Sequence, residues 1–256
     1  FLGDTLAKIA GEKAGIIKQR TPVVFAPQPA EALAVLRAEA EALDALRREA
    51  GRDWRVEPLA DGGFRYVSDA LDWSLPAPAL RGRHQLDNAG AAMAALEAVQ
   101  PAGFTRETVA RGLALAEWPA RLQCLAAGAL ARMAAPAGPV WLDGAHNPAA
   151  AKVLAEELAG WPVKPVLVAG MLGNKDYRAM LALLAPVVER LLAVPVPRST
   201  AGLPPEVLVA AGAEAGIASE VLPDLEAALA RAGAVGPGRP VLVAGSLYLA
   251  GAALRL

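Results

Sequence analysis

The sequence predicts an α/β protein built from two units, the second carrying a doubly wound, mostly parallel sheet. In its second half, wholly apolar strand-like stretches alternate with helical stretches, a pattern typical of a parallel sheet covered on both faces. A length of 256 residues suits two ordinary domains. Because the pattern changes after Trp118-Pro119, we place the boundary near residues 117–121. A hydrophobic content of 55% supplies ample material for a core.

The first unit combines helices with a small antiparallel sheet. Its helices are predicted from apolar residues at helical spacing, and its small sheet from strand-like stretches separated by Gly- and Asp-containing turns. The predicted elements are a helix from Asp4 or Thr5 to about Gly15, a strand at 22–26, a helix at 29–50, an antiparallel sheet within 55–75 and a helix at 88–99.

The second unit repeats a strand, a loop and a helix several times. Its predicted strands cover 140–142, 166–169, 191–194 and 241–244, and helices begin near Asn147, Asp176, Pro204 and Pro223. In such a sheet, ligands gather at the carboxyl ends of the strands, where loops pass into helix N-termini. We therefore expect the informative polar residues in these loops.

Charge and cysteine content narrow the class of function. Twenty-five basic and 26 acidic side chains give a net charge of −1, so nucleic acid and anionic membranes are poor partner candidates. The single cysteine, Cys124, lies in a short apolar segment and predicts a buried thiol in a reducing compartment. The longest uncharged apolar stretch, 240–254, is shorter than the roughly 20 residues of a membrane span. With no secretory signal at the start, we expect a cytoplasmic protein.

Three strand-to-helix loops carry candidate site residues. Asp143 and His146 follow the first strand, and an aspartate can bind a ribose hydroxyl or a metal while a histidine can hold a carboxylate. Lys175 follows the next strand and can neutralise an acidic ligand; Ser246 offers a hydroxyl after the last strand. Each has a structural alternative, in which Asp143 satisfies a turn, Ser246 caps a helix, and His146 and Lys175 are solvated loop residues.

Two further segments carry polar side chains near helix starts or the boundary. Arg121 is placed to touch a phosphate, although a surface salt bridge is the commoner fate of such an arginine. Gln85 and Asn88 could read a base edge or cap the helix that follows.

Taken together, six stretches resemble the folylpolyglutamate synthases and dihydrofolate synthases, which are Mur ligase-like, ATP-dependent amide-forming enzymes. The six, in chain order, are Phe1-Leu-Gly-Asp-Thr-Leu with Ile9-Ala-Gly-Glu-Lys13-Ala-Gly-Ile-Ile-Lys18, His84-Gln-Leu-Asp-Asn88-Ala, Trp118-Pro-Ala-Arg121-Leu-Gln, Asp143-Gly-Ala-His146-Asn-Pro, Leu172-Gly-Asn-Lys175-Asp, and Gly245-Ser246-Leu-Tyr-Leu. The resemblance implies that residues 1–118 are the C-terminal portion of a P-loop ATPase-like central ATP-binding domain. Residues 119–256 would form a Rossmann-like C-terminal ligase domain that binds glutamate.

The resemblance also implies roles for single residues. Lys13 matches a lysine whose carbamate helps bind magnesium, Asn88 a residue at the adenine, and Arg121 an arginine at the nucleotide phosphates. Asp143 resembles an aspartate near the ribose and the interdomain cleft, with a catalytic part alongside Lys13 and His146. His146 and Ser246 are similar to groups that hold the incoming glutamate, with Lys175 as a further helper.

The implied reaction uses ATP and Mg²⁺ to activate a folate or dihydropteroate carboxylate as an acyl phosphate, which the amine of L-glutamate attacks. A Gly-x-x-Gly-Lys-Ser phosphate loop does not occur in the sequence, and the histidine metal ligand usual before the Phe1-Leu-Gly stretch is missing too. We therefore expect a fragment, about the C-terminal three-fifths of a monomeric enzyme and inactive alone. Another Mur-type amino-acid ligase and a non-catalytic nucleotide- or glutamate-binding module remain the alternatives, and the choice between the two acceptors stays open.

Overall fold

A computed structural model describes residues 5–256, which form two compact units. The first unit ends at Glu117 and the second begins at Trp118, at the Trp-Pro step where the sequence pattern changes. Asp4, one of the two predicted caps of the first helix, lies outside the described residues. Thr5 is the observed cap, and its hydroxyl accepts the Lys8 N–H at 3.3 Å.

Over residues 5–117, the first unit contains a parallel pair of strands, an antiparallel three-stranded sheet and four helices. Its elements are α1 (Leu6–Ala14), β1 (Val23–Phe25), α2 (Ala30–Ala42), β2 (Arg47–Glu49), β3 (Trp54–Pro58), β4 (Phe64–Ser68), β5 (Asp72–Leu75), α3 (His84–Val99) and α4 (Arg106–Ala114). β1 pairs with β2 in parallel, and β3, β4 and β5 form the predicted antiparallel sheet.

The helix predicted over 29–50 is too long, because its last third turns back and forms β2. Asp44 has a φ of +49°, a left-handed conformation that aspartate tolerates and that stops a helix. The Ala45 N–H then donates to the Ala40 carbonyl at 2.9 Å, closing the helix end. A hydrogen-bonded ion pair between Arg37 of α2 and the buried Glu49 links β2 to the helix.

Helix α3 begins at His84, four residues before the predicted start, and packs on the antiparallel sheet. Gly90 lies so close to β3 that a Cβ there would stand 2.4 Å from Val56 Cγ2. Near the other end of α3, the buried carboxylate of Glu97 accepts hydrogen bonds from the Tyr66 hydroxyl at 2.6 Å and the Ser68 hydroxyl at 2.8 Å. The sequence interpretation missed α4, which Thr105 caps.

The second unit is a six-stranded sheet with helices on both faces. Its elements are β6 (Gln123–Leu125), α5 (Ala129–Met133), β7 (Val140–Leu142), α6 (Pro148–Leu158), β8 (Val166–Ala169), α7 (Tyr177–Leu184), β9 (Arg190–Ala193), α8 (Pro205–Glu214), β10 (Ser219–Val221), α9 (Leu225–Val235), β11 (Val241–Ala244) and α10 (Leu247–Ala253). The strand order is β10-β9-β8-β11-β7-β6, and every neighbouring pair is parallel except β6 with β7. The predicted doubly wound α/β fold is confirmed.

The connections of this sheet create a switch point around β11. The chain passes from β7 to β8, continues outward through β9 and β10, and returns to insert β11 between β7 and β8. Side chains of α6, α7 and α8 pack in one core, and side chains of α5, α9 and α10 pack in the other. The central strands are buried on both faces, which explains their uninterrupted apolar sequences.

The prediction of a buried cysteine was wrong. Cys124 is exposed because it lies on β6, the edge strand of the sheet. The sequence interpretation also missed β6, β10 and α5, which are only three to five residues long. Within residues 5–256, none of the helices is long and apolar enough to cross a membrane.

Candidate functional site

Loops from three neighbouring strands meet at the carboxyl edge of the second unit's sheet. The Gly245 N–H, after β11, donates to the Ala145 carbonyl of the loop after β7 at 2.9 Å. A Cβ at Gly245 would stand 3.0 Å from the Gly170 carbonyl oxygen, in the loop after β8. Gly245 has a φ of +107°, which a side chain would strain. Backbone contact between the loops therefore fixes the frame on which His146, Ser246 and Lys175 lie.

His146 is oriented by a hydrogen bond to its own loop. Its Nδ1 lies 2.8 Å from the Gly144 carbonyl oxygen, which can only accept, so Nδ1 carries the hydrogen of this bond. Nε2 is therefore the ring nitrogen that can bind another group. Asn147, the next residue, accepts the Ala150 N–H at 2.9 Å and caps α6, with Pro148 in the first turn. The sequence predicted that a helix begins near Asn147.

Asp143 ties the loop after β7 to the segment before β6. One carboxylate oxygen accepts the Leu122 N–H and the other accepts the Ala145 N–H, each at 2.8 Å. This is the turn-forming role that the sequence left open for Asp143. A contact with a ribose stays a prediction, and so does a catalytic role.

Ser246 and Lys175 occupy the other two loops. Ser246 is only 2% exposed, and its hydroxyl accepts the Leu249 N–H at 3.0 Å, so it caps α10. Lys175 is partly buried and immediately precedes Asp176, whose carboxylate caps α7 by accepting the Ala179 N–H at 3.1 Å. Their part in glutamate binding stays a prediction.

Arg121 reaches the loop after β7 from the segment before β6. Its side chain is exposed, and its Nη1 stands 3.2 Å from the point that a Cβ on Gly144 would occupy. The sequence interpretation missed the residue that helps hold this segment: the side-chain oxygen of Gln123 accepts the Ala120 N–H at 3.1 Å. The signal was available, since Gln123 ends the Trp-Pro-Ala-Arg-Leu-Gln stretch.

Two predicted site residues belong to the first unit and lie on different helices. Lys13 is exposed in the last turn of α1. Asn88 is exposed on α3, and its Nδ2 donates to Gln85 Oε1 at 3.0 Å. The Gln85 amide is buried and lies 3.0 Å from His84 Nε2, so hydrogen bonds link these side chains along the first turns of α3. The sequence placed His84 and Gln85 before the helix and Asn88 at its start, whereas all three lie within α3.

Comparison with known proteins agrees with this geometry. The family profile described as "Mur ligase, glutamate ligase domain" matches residues 130–247, which include the three loops described above. A folylpolyglutamate synthase from Lacticaseibacillus casei is 33% identical over 98% of this chain and 58% of that protein. Residues 130–247 belong to the Mur ligase glutamate ligase domain family.

A second relative of the chain is a probable bifunctional folylpolyglutamate synthase/dihydropteroate synthase from Halobacterium salinarum. It is 36% identical over 96% of the chain and 30% of its own length. The chain thus spans between about a third and three-fifths of these two relatives.

Solved structures show the same fold. The Mycobacterium tuberculosis folylpolyglutamate synthase complexed with ADP has a TM-score of 0.83 and 32% identity, over all of this chain and 60% of that one. A bifunctional folylpolyglutamate synthase/dihydrofolate synthase with Mn, AMPPNP and L-glutamate bound has a TM-score of 0.81 and 26% identity, over all of this chain and 59% of that one. Each of the two α/β units of the chain therefore has a known fold.

The described residues, 5–256, offer few donors to a metal. Among the residues that the structure describes, none form a group of three or more His, Cys, Asp or Glu side chains placed to hold a metal ion. Mg²⁺ commonly takes only one or two protein oxygens and fills its octahedron with water and substrate phosphate. The carbamate predicted on the exposed Lys13 would be compatible with that mode, and it stays a prediction.

Proposed function

We propose that the protein to which this chain belongs is an ATP-dependent ligase that joins L-glutamate to a folate or dihydropteroate carboxylate. The observation that carries the proposal is the meeting of three strand-end loops, where Gly245 contacts Ala145 and Gly170, inside a region matching a glutamate ligase domain. Relatives that bear this name include structures with ADP and with AMPPNP, Mn and L-glutamate.

On this proposal, the second unit binds the amino acid. His146 presents Nε2, since Nδ1 is held by Gly144, and a protonated imidazole there would pair with a glutamate carboxylate. Lys175 adds positive charge from the neighbouring loop. Ser246 belongs to the third loop, where its buried hydroxyl caps α10 by accepting the Leu249 N–H.

The nucleotide would contact the polar side chains that the sequence assigns to it. Arg121, exposed beside Gly144, suits a phosphate because a guanidinium forms two parallel hydrogen bonds with such a group. Asn88 would meet the adenine, and Asp143 the ribose. A magnesium ion, held in part by a carbamate on Lys13, would supply charge neutralisation for the phosphates.

The reaction would then proceed in two steps. A carboxylate oxygen of the acceptor attacks the γ-phosphorus of ATP, and ADP leaves. The glutamate amine next attacks the carbonyl carbon of the acyl phosphate, loses a proton, and the tetrahedral intermediate expels phosphate to leave the amide. The protein's contribution is to orient the amine through its carboxylate contacts and to stabilise developing charge with Arg121 and Lys175.

The test is incorporation of labelled L-glutamate by the native full-length protein with ATP and Mg²⁺. Dihydropteroate and tetrahydrofolate are offered separately, and a His146→Ala variant is compared with Lys152→Ala, a matched change at an exposed residue of α6. We expect the wild-type protein to label at least one acceptor, and His146→Ala to lower kcat/KM for glutamate by roughly 10- to 150-fold, because a charged hydrogen bond is lost. Lys152→Ala should match the wild type. Absence of incorporation with both acceptors would refute the folate ligase and favour another ligase or a binding module.

A further inference from the structure

The segment that carries Arg121 has an unusual backbone. Ala120 and Leu122, on either side of Arg121, have φ values of +56° and +43°. Neither is glycine, and a left-handed conformation is unfavourable for such residues. Both side chains are buried, at 4% and 6% exposure, whereas Arg121 is exposed. Such a backbone persists only where surrounding contacts enforce it.

Three hydrogen bonds enforce this turn. The Gly144 N–H donates to the Ala120 carbonyl at 2.8 Å, and Asp143 accepts the Leu122 N–H at 2.8 Å. Both come from the loop after β7. The third comes from the turn's own side, where the Gln123 oxygen accepts the Ala120 N–H at 3.1 Å.

Gln123 is itself fixed by the sheet. It is the first residue of β6 and lies opposite Leu142, the last residue of β7. Its side chain therefore connects a rigid strand to the N–H of Ala120, while the Arg121 side chain extends toward Gly144. The exposed arginine thus extends from a backbone that these hydrogen bonds hold in one conformation, which limits the entropy lost when it binds an anion.

We propose that Gln123 is a positioning residue for Arg121, holding the left-handed turn that presents the guanidinium to the phosphate of a bound nucleotide. The inference rests on the function proposed above, in which Arg121 contacts that phosphate. Gln123 acts through the backbone of Ala120 and touches no substrate. Its removal should weaken nucleotide binding only while Arg121 is present.

A double-mutant cycle on the native full-length protein tests the proposal, with ADP as the probe. Gln123→Met removes the acceptor at similar size, and Gln123→Ala removes it without apolar bulk. We expect each to weaken ADP binding by roughly 3- to 10-fold, as for the loss of one hydrogen bond. In an Arg121→Ala background the same changes should have less than about a 2-fold effect. The KM for glutamate should stay within about 2-fold of wild type, which separates positioning of Arg121 from general damage.

Gln100→Met serves as the matched control. Gln100 has a left-handed backbone of its own and, like Gln123, a side-chain hydrogen bond, which it donates to the Glu97 carbonyl, but it lies at the end of α3. It should leave ADP affinity unchanged. Equal losses from Gln123→Met with and without Arg121 would overturn the proposal, and so would no loss at all. If the wild-type protein binds ADP and incorporates glutamate but the effects of Gln123 and Arg121 are additive, only the Gln123 inference is refuted. If the wild-type protein does neither, both proposals are refuted.

Discussion

Replacing Gly245 with alanine should destabilise the second unit, because this glycine is where the loops after β7, β8 and β11 meet. An alanine at a φ of +107° costs about 1–2 kcal/mol from backbone strain alone. Its Cβ would also lie 3.0 Å from the Gly170 carbonyl oxygen and 3.0 Å from Met171 Cγ. Met171 is only 1% exposed and cannot swing into solvent. Overpacking of this kind costs about 1–3 kcal/mol, so the total should be about 2–5 kcal/mol.

Two other glycines separate the contributions to this cost. Gly216 has a φ of +80° and nothing within 4 Å of a built Cβ, so Gly216→Ala should cost only the backbone strain, about 1–2 kcal/mol. Gly251 lies in α10, and a Cβ there would meet only Arg255 Nη1 at 3.8 Å. Gly251→Ala should therefore stabilise the protein by about 0.5–1 kcal/mol, through the better helix propensity of alanine.

Urea unfolding of the three variants and the wild-type protein measures these differences. Gly245→Ala should lose more free energy of unfolding than Gly216→Ala, and Gly251→Ala should gain. If Gly245→Ala and Gly216→Ala differ by less than about 0.5 kcal/mol, the steric contact between the loops is absent and the site geometry derived from it is wrong.

Three further changes test other parts of the structure. Burial raises the pKa of Tyr66, and its hydroxyl donates to the buried carboxylate of Glu97 at 2.6 Å. Loss of this hydrogen bond in Tyr66→Phe should lower the free energy of unfolding by about 1.5–3 kcal/mol. Tyr248→Phe, at an exposed position, should leave that free energy unchanged. The hydrogen bond from Arg37 lowers the pKa of Glu49 from the ordinary 4.5, so the ion pair stabilises the fold above that pH. Urea unfolding at several pH values should show the wild type more stable than Glu49→Gln, by a free-energy difference that shrinks as the pH falls through the lowered pKa. A difference that does not change with pH would contradict this. The exposed Cys124 should react with a thiol reagent in the native protein, and labelling that requires denaturant would contradict its placement on the sheet edge.

The parts of the fold that were predictable are those whose environment leaves a local pattern. Strands β7, β8 and β11 are apolar at every position because they are buried on both faces, and all three were predicted. Strands β6 and β10 are short and lie at the two edges, where a side chain such as Cys124 meets solvent. The overlong helix has a non-local cause, since β2 is specified by its pairing with β1 and by the partnership of Arg37 and Glu49.

In the candidate site too, features with a local sequence pattern were predictable, and contacts between residues distant in sequence were not. Its strand-end residues could be placed from the sequence, because polar residues after apolar strands must lie at one edge of the sheet. The contact of Asp143 with Leu122 joins residues 21 positions apart, so no local pattern indicates it. The left-handed turn around Arg121 was equally unpredictable, since Ala120 and Leu122 are not residues that favour it.

The most direct test of the proposed ligase is the fate of the acceptor's carboxylate oxygen. Full-length protein is supplied with ATP, Mg²⁺, L-glutamate and dihydropteroate or tetrahydrofolate whose reacting carboxylate carries a heavy oxygen isotope, and the released phosphate is analysed by mass spectrometry. An acyl phosphate intermediate predicts that each amide formed delivers one labelled oxygen to phosphate. Amide formation with unlabelled phosphate, or no amide at all, would contradict the account.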